Sequence, residues 1–341
     1  MIIKNEVMQR IKSIKSVEPG RLALLDLFRV IAIIFVLTVH VGQAAEYPIA
    51  RFFGIENFYW VTIGDIGVTI FIILSGLSIE LSYGKKAFNY INFMIGRILR
   101  IYPILWFSIF LGIIVFLFRS QIGEQLSPLS EQIGWLLFHM SGFSGYGGFV
   151  SDPFLVPAWF IGLIMTMYIV YPLLAKSVRK RPHTTLIAML IISVVSRIIL
   201  GQYEFLPNRS LDWFPTCRVF EFTLGIYLAI VVKQSFWSCL NCSRRLNSIL
   251  KFMGDISFPL YLVHGPMLPI IVQYWRFGIS QWIAIIIFLI LSVSISCLVT
   301  LLVKVIVPRK KILQKISERN NLKEVTLAVN SEELGNIVAK D

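Results

Sequence analysis

Long apolar runs dominate this sequence and are its strongest constraint on the fold. An α-helix needs about 20 apolar residues to cross a hydrocarbon core of about 30 Å. The runs that meet or approach this length are 22–44, 60–83, 101–118, 158–175, 184–200, 214–232, 254–275 and 280–307. Residues 133–150 are rich in glycine and have a short apolar run, so we expect an outer-face or re-entrant segment there. The sequence predicts an all-α, polytopic transmembrane bundle of about 8–10 spans, the higher counts requiring division of the longer runs.

The composition excludes several other classes of protein. Of the 341 residues 56% are hydrophobic and 15% are charged, whereas soluble domains are about 25% charged. An ordinary globular enzyme and a disordered chain are both inconsistent with these values. Four cysteines are too few for a disulfide-stapled secreted module. What remains is a membrane protein.

The basic residues predict the orientation in the membrane. With the N-terminus inside, 25 of the 32 Lys and Arg fall in inner segments, and this bias places both termini in the cytoplasm. The net charge of +13 is therefore mostly topological, and we expect membrane lipid rather than nucleic acid as a partner. We divide the chain into a cytoplasmic segment 1–21, a transmembrane domain 22–307, and a cytoplasmic tail 308–341 near anionic headgroups. The first span, interrupted by Asp26 and Arg29, is expected to be a retained signal anchor.

Ionisable residues inside the first span are candidates for function, because burying charge in a bilayer is costly. Arg29 and His40 are eleven residues apart, so they share one helix face about 16 Å apart along the axis. Asp26 and Arg29 are spaced i, i+3 and can pair. The alternative is that Asp26 and Arg29 neutralise each other at the interface while His40 ends the helix.

Three further positions follow the same logic. Arg97 and Arg100 are also spaced i, i+3, and two guanidinium groups suit a phosphate-bearing ligand, although they also suit headgroup anchoring. Arg218 and Glu221 form an i, i+3 pair within an apolar span, where they serve either a site or the insertion of the helix. His264 lies in another span, where a lone histidine is more often a packing residue.

Common catalytic and metal-binding motifs are absent from the sequence. There is no P-loop lysine motif, no HExxH and no GxSxG. Cys239 and Cys242 form one CxxC with no second Cys or His pair nearby, so we predict no metal site and no bound cofactor.

Read in order, the segments resemble acyltransferase family 3, a family of bacterial inner-membrane proteins that modify surface glycans. LLDLFRVIAIIFVLTVH carries the family's Arg-x10-His spacing at Arg29 and His40, and GDIGVTIFIILSGLSIE resembles its second segment, with Ser75 and Gly76 in place. RVFEFTLG and GDISFPLYLVH are similar to its late segments. The remaining matches are the Arg-x-x-Arg motif and its following Tyr-Pro, and a Trp-x8-Tyr-x3-Pro spacing, at Arg97, Arg100, Tyr102, Pro103, Trp159, Tyr168 and Pro172. The resemblance covers about residues 21 to 305.

One position departs from the family pattern. Many members have a Glu five residues after the Trp, and here that position is Ile164. WFIGL at 159–163 resembles the form found in a branch of short polysaccharide acyltransferases. We expect the role of that Glu to be absent or carried by another residue, with Glu221 the nearest candidate. The length leaves no room for the fused periplasmic domain of some members, so we expect the short form.

The resemblance implies a multi-pass enzyme of the bacterial inner membrane that transfers an acyl group, usually acetyl from acetyl-CoA, to a sugar hydroxyl. The donor is then acetyl-CoA or another acyl-CoA, and the acceptor a surface polysaccharide or lipid-linked saccharide. We expect Arg97 and Arg100 to bind the CoA phosphates, Arg29 to orient the donor, and His40 to act as general base or to relay the acyl group. Supporting positions are Asp26, Ser75, Tyr102, Trp159, Tyr168, Arg218, Glu221 and His264. The alternative is an exporter or flippase of a glycan intermediate, which the lack of visible inverted repeats disfavours.

Overall fold

The part of the chain that the structure describes is a bundle of α-helices. The computed structural model describes residues 22–45, 58–84, 88–121, 133–147, 154, 156–201, 214–232, 236, 243–307 and 312, without the side chains of 58–62, 135 and 244. The helices are α1 (Ala23–Ala44), α2 (Phe58–Tyr83), α3 (Tyr90–Gln121), α4 (Ile133–Ser141), α5 (Trp159–Lys180), α6 (Pro182–Gly201), α7 (Pro215–Val231), α8 (Arg244–Met267), α9 (Pro269–Val272) and α10 (Gln281–Ile306). Two single 3-10 turns cover Ser144–Gly147 and Tyr274–Phe277. The predicted segment 1–21, the CxxC and nearly all of the tail lie outside the described residues.

The all-α fold class is confirmed. Of the residues that the structure describes 91% are helical, and none of them is in a strand. Seven helices in it are long and apolar enough to cross a membrane. The predicted span at 214–232 corresponds to α7, whose 17 residues are at the lower limit of the usual ~17–25. The segment at 133–150 contains α4, whose 9 residues rise about 14 Å and cannot span.

Two helices begin earlier than the apolar runs predict. The run at 101–118 lies inside α3, which starts at Tyr90, and the run at 254–275 lies mostly in α8, which starts at Arg244. Hydropathy marks only the part of a helix in hydrocarbon, whereas the backbone stays helical through the polar interface. Arg97 and Arg100 therefore lie within α3 rather than at its start. The run at 254–275 is also interrupted, because α8 ends at Met267 and α9 follows as a separate short turn.

The packing places α2 at the centre of the bundle, between α1 and α7. Glycines allow α2 and α7 to approach: a Cβ at Gly76 would overlap the Phe222 carbonyl oxygen, and one at Gly225 would overlap that of Ile73. Small residues serve this purpose at many transmembrane helix contacts. On the other side α8 packs against α1 and α10. Helices α1, α2, α3, α5 and α8 consequently surround a common space.

Candidate functional site

A cavity of about 100 Å³ lies where these five helices meet, and we call it the arginine cavity. It is near the start of α1 and α3 and the end of α2, the part of the bundle that we call the arginine end. Its polar lining residues are Arg29, Ser75, Ser78, Arg97, Arg100, Tyr168 and Ser257. The other lining residues are Phe71, Leu74, Ile101, Phe160, Ile164, Gly254 and Phe258. Five residues from four sequence motifs are thus brought together: Arg29, Ser75, Arg97, Arg100 and Tyr168.

Arg29 is held in a fixed orientation at this cavity. Its Nη1 donates to Asp26 Oδ1 at 2.6 Å, and its Nη2 donates to Ser78 Oγ at 3.1 Å. The Asp26 side chain is buried and lies against Gly254 of α8. The predicted i, i+3 pair is therefore formed, and it contributes to the wall of the cavity rather than lying at an exposed interface.

Arg97 lies among aromatic rings. Its guanidinium carbon is 5.1 Å from the ring centre of Phe93, 5.4 Å from that of Tyr168 and 5.9 Å from that of Tyr83. Such cation–π contacts are worth about 0.5–2 kcal/mol each and fix the plane of the guanidinium. Tyr168 is itself held by a hydrogen bond of 2.8 Å between its hydroxyl and Ser75 Oγ. The motif residues Ser75 and Tyr168 therefore contribute to the surroundings of Arg97.

Ile164 lines the arginine cavity, so the position at which many relatives have Glu faces this space. Arg218 and Glu221 are not among the described residues that line it. Arg218 is 1% exposed and contacts Asp65, Glu221 at 3.0 Å and Thr69 at 3.1 Å. Arg197 of α6 also approaches Glu221, at 3.5 Å. Glu221 thus belongs to a partly buried ionic network that joins α2, α6 and α7, apart from Ile164.

His40 lies at a second and larger cavity of about 320 Å³, which we call the His40 cavity. This cavity is at the opposite end of α1, and its lining residues are His40, Gln43, Ala44, Arg119, Leu268, Pro269, Val272 and Gln273. Among the described residues, no three His, Cys, Asp or Glu side chains are close enough together to hold a metal ion. The structure therefore separates the two ends of the Arg-x10-His motif into two cavities.

His264 packs directly on His40. The two ring centres are 5.0 Å apart with an angle of 40° between the ring planes. His264 is 1% exposed, and its Nδ1 is 3.2 Å from the carbonyl oxygen of Leu260. A carbonyl can only accept, so Nδ1 carries the hydrogen and the Nε2 of neutral His264 is an acceptor. His264 is therefore a neighbour of His40, a relation that spacing alone did not predict.

Three aromatic residues, which we call the ring layer, connect the surroundings of the two cavities. Phe71 is 6.5 Å from Phe160 and 6.3 Å from Tyr261, and Phe160 is 5.3 Å from Tyr261, measured between ring centres. Phe71 and Phe160 line the arginine cavity, while Tyr261 is 6.0 Å from the ring of His264. A continuous series of ring contacts thus leads from the arginine cavity to His40.

Two other predicted residues have indirect roles. The Tyr102 hydroxyl donates to the Ser141 carbonyl at 2.8 Å, which ties α3 to the end of α4. Trp159 packs edge-on against Phe160, at 6.0 Å between ring centres. Neither is among the described residues lining the arginine cavity, so both are in positions to support its walls.

Sequence reasoning missed an ionic cluster beside the arginine cavity. The buried carboxylate of Glu80 accepts two hydrogen bonds of 2.8 Å from Arg179 and one of 2.8 Å from the Tyr171 hydroxyl. The Tyr171 ring is 5.5 Å from that of Phe93, which in turn contacts Arg97. An acidic residue late in an apolar span is the available signal for Glu80, whereas Arg179 lies among the basic residues that indicate topology.

Comparisons with known proteins show that the chain is similar to proteins named as acyltransferases. Acyltransferase MdmB of Streptomyces mycarofaciens is 25% identical over 247 residues, covering 64% of this chain and 59% of that protein. The putative peptidoglycan O-acetyltransferase YrhL of Bacillus subtilis is 29% identical over 247 residues, covering 67% of this chain and 35% of that protein. The regulator of hypoxia-inducible factor 1 of Caenorhabditis elegans is 25% identical over 218 residues, covering 57% of this chain and 42% of that protein.

The chain spans between about a third and three fifths of the length of these relatives. No solved structure matches it. A family described as an acyltransferase domain matches residues 22–237, which is more than half of the chain and contains the residues lining the arginine cavity from α1, α2, α3 and α5. The chain belongs to this acyltransferase family, acyltransferase family 3.

Proposed function

We propose that this protein is an O-acyltransferase of the bacterial cytoplasmic membrane. It transfers an acyl group, in the first instance acetyl, from acyl-CoA to a sugar hydroxyl of a surface polysaccharide or lipid-linked glycan. The observation that carries the proposal is the arginine cavity, in which five motif residues from four helices meet. Family membership and a relative named as a putative peptidoglycan O-acetyltransferase support the same chemistry.

The donor binds at the arginine end. With the N-terminus in the cytoplasm, this end faces the compartment that contains acyl-CoA. Arg97 and Arg100 present guanidinium groups there, and guanidinium binds phosphate oxygens in a bidentate manner. A cavity of about 100 Å³ is well below the ~300–1,000 Å³ of pockets for larger ligands. The phosphates therefore stay at the mouth of this cavity, while the acyl end of the donor extends through it towards His40.

His40 is the general base, or the group through which the acyl group is relayed. In the transfer, the hydroxyl oxygen attacks the thioester carbonyl carbon and its proton passes to His40. The carbon–sulfur bond then breaks, and the leaving thiolate takes up a proton. In a relay, a His40 nitrogen first receives the acyl group from sulfur and then passes it to the hydroxyl oxygen. Both routes must span the roughly 16 Å between Arg29 and His40.

The role of His40 is tested by mass spectrometry of the surface glycan. A strain with His40→Ala and a normal protein level should lose the ester, as should a strain without the gene. His183→Ala is the matched control, because His183 is exposed and hydrogen-bonds to Tyr227. A fully esterified glycan in the His40→Ala strain contradicts the mechanism. Loss of the polymer itself from the surface of the deletion strain indicates an exporter instead.

The donor site is tested by acetyl-CoA affinity in lipid nanodiscs. Arg97→Ala or Arg100→Ala should weaken binding about tenfold or more, the scale of one charge-assisted hydrogen-bonded contact. Arg97→Lys should recover only part of the loss, because an ammonium group cannot form the bidentate contact. Arg181→Ala removes an exposed arginine next to α5 and should leave affinity unchanged. Wild-type affinity in both cavity variants would reassign these arginines to membrane anchoring.

A further inference from the structure

We propose that the His40 cavity is the binding site for the acceptor saccharide, and that Arg119 binds an anionic group of that saccharide. This inference rests on the proposed function and adds to it the place and the chemical class of the acceptor. The class is a saccharide that carries a carboxylate or phosphate near the hydroxyl that is acylated. The argument depends on the size of the cavity, its lining and the position of Arg119.

The size and lining of the cavity suit a sugar. Its volume of about 320 Å³ lies within the ~300–1,000 Å³ of ligand pockets, about three times that of the arginine cavity. The side chains of Gln43 and Gln273 offer amide donors and acceptors, which match the hydroxyl groups of a saccharide. Leu268, Pro269 and Val272 supply apolar surface from the other side. This combination of apolar wall and few polar groups is typical of small-molecule sites.

The position of Arg119 points to a charged ligand. Arg119 lies 22 residues after Arg97 in the same helix, α3, which corresponds to about 33 Å of rise. That distance equals the thickness of the hydrocarbon core, so the two arginines lie at opposite faces of the membrane. In the predicted topology, few basic residues lie on the side of the membrane where Arg119 is. A guanidinium group in the wall of a cavity there favours a ligand with a carboxylate or phosphate.

His40 lines this cavity and can contact a hydroxyl that is bound in it. His264 packs on one side of its ring, and the cavity lies on another. A hydroxyl bound in this cavity therefore lies beside His40, the residue proposed as general base. The reacting hydroxyl and the anionic group are therefore bound by different residues of one cavity.

The test measures transfer of radiolabelled acetyl from acetyl-CoA to an acceptor by the full chain in nanodiscs, with and without a competing sugar. The acceptor is unesterified surface polysaccharide from a strain without the gene, and the competitors are glucuronate and glucose. We expect Arg119→Gln to raise the KM for polysaccharide about tenfold or more without changing the KM for acetyl-CoA. Gln43→Leu, at an exposed position on the rim, should raise the same KM and provides a second variant if Arg119→Gln folds poorly. Glucuronate should inhibit the wild type at lower concentrations than glucose.

Arg276→Gln is the matched control, because Arg276 is an exposed arginine at the same end that packs over Trp275, at 4.9 Å. It should leave both KM values unchanged. Equal KM values in Arg119→Gln and Arg276→Gln, or equal inhibition by glucuronate and glucose, would overturn the inference. If the wild type transfers acetyl and Arg119→Gln leaves the KM for polysaccharide unchanged, only this inference is overturned and the proposed function stands. No transfer by the wild type, together with full esterification in His40→Ala cells, overturns the proposed function.

Discussion

The orientation of Arg29 depends on a residue that has no side chain. A Cβ at Gly254 would be 2.6 Å from Asp26 Oδ1, the atom that pairs with Arg29. The sequence identified Asp26 and Arg29 because charges within apolar runs are conspicuous. Gly254 appears there only as the first residue of GDISFPLYLVH, without a role of its own, because its importance comes from the packing of α8 on α1. A residue that acts by leaving space has no chemical signature in sequence.

Gly254→Ala should therefore impair the site without removing any charged group. The added methyl displaces the Asp26 carboxylate, so Arg29 loses its fixed orientation, and we expect acetyl transfer to fall about tenfold or more. Gly134→Ala is the control, because a Cβ at Gly134 meets nothing within 4 Å. The measurement is transfer rate per folded protein. Equal rates in the two variants would show that the orientation of Arg29 is not needed.

The cluster of Glu80, Tyr171 and Arg179 shows that the pairing of charged residues is also hard to predict from sequence. Glu80 and Arg179 are 99 positions apart, and neither belongs to a motif that names the other. A count of basic residues treats Arg179 as one of many cytoplasmic charges. Only the packing of α2 against α5 reveals that it forms a bidentate pair with a buried carboxylate beside the rings that surround Arg97.

At the scale of the helices, hydropathy predicted the presence of each spanning helix better than its ends or its partners. The runs located α1, α2, α5, α6, α7 and α10 closely, because a bilayer demands continuous apolar sequence. They missed the first turns of α3 and α8, where polar residues continue the helix in the interface. Pairing is encoded differently, since Gly76 and Gly225 fix the approach of α2 to α7 through the absence of side chains.

Gly76→Ala and Gly225→Ala should each destabilise the bundle. In both, the new methyl overlaps a backbone carbonyl of the facing helix, which cannot move aside like a flexible side chain. Overpacking of this kind costs about 1–3 kcal/mol, so the temperature of unfolding in mild detergent should fall. Gly64→Ala is the control, because its Cβ would contact Val39 at an ordinary 3.4 Å. An unchanged unfolding temperature for Gly76→Ala would contradict this packing.

At the scale of the whole molecule, the two cavities occupy opposite ends of the bundle. The motif order predicted which residues belong together at the arginine end, because five of them come from segments that resemble one family. It did not predict that His40 would line a separate cavity and pack on His264. The spacing shows that His40 and Arg29 share one face of α1. It does not show which other helices cover each part of that face. The division of the site is a property of tertiary packing.

This arrangement predicts that the two ends are accessible from different compartments. In a background in which all native cysteines are replaced by serine, Gln43→Cys should react with a membrane-impermeant thiol reagent in intact spheroplasts. Ser82→Cys, at an exposed position near the arginine end, should react only in inverted vesicles. The measurement is labelling of the purified chain, with the cysteine-free background as control. Labelling of both positions from one side would refute the separation of the two ends, and the reverse pattern would refute the cytoplasmic location of the N-terminus.

The ring layer has a consequence for the kind of acyl group that is transferred. Under the proposed function, an acyl group that passed between Phe71, Phe160 and Tyr261 would leave its hydration water behind, because these rings offer mainly apolar surface. An acetyl group loses little by this, whereas the carboxylate of a succinyl group gives up hydration worth several kcal/mol. Under the proposed function, dehydration at the ring layer would therefore favour small uncharged acyl groups, independently of how well either cavity binds its own substrate.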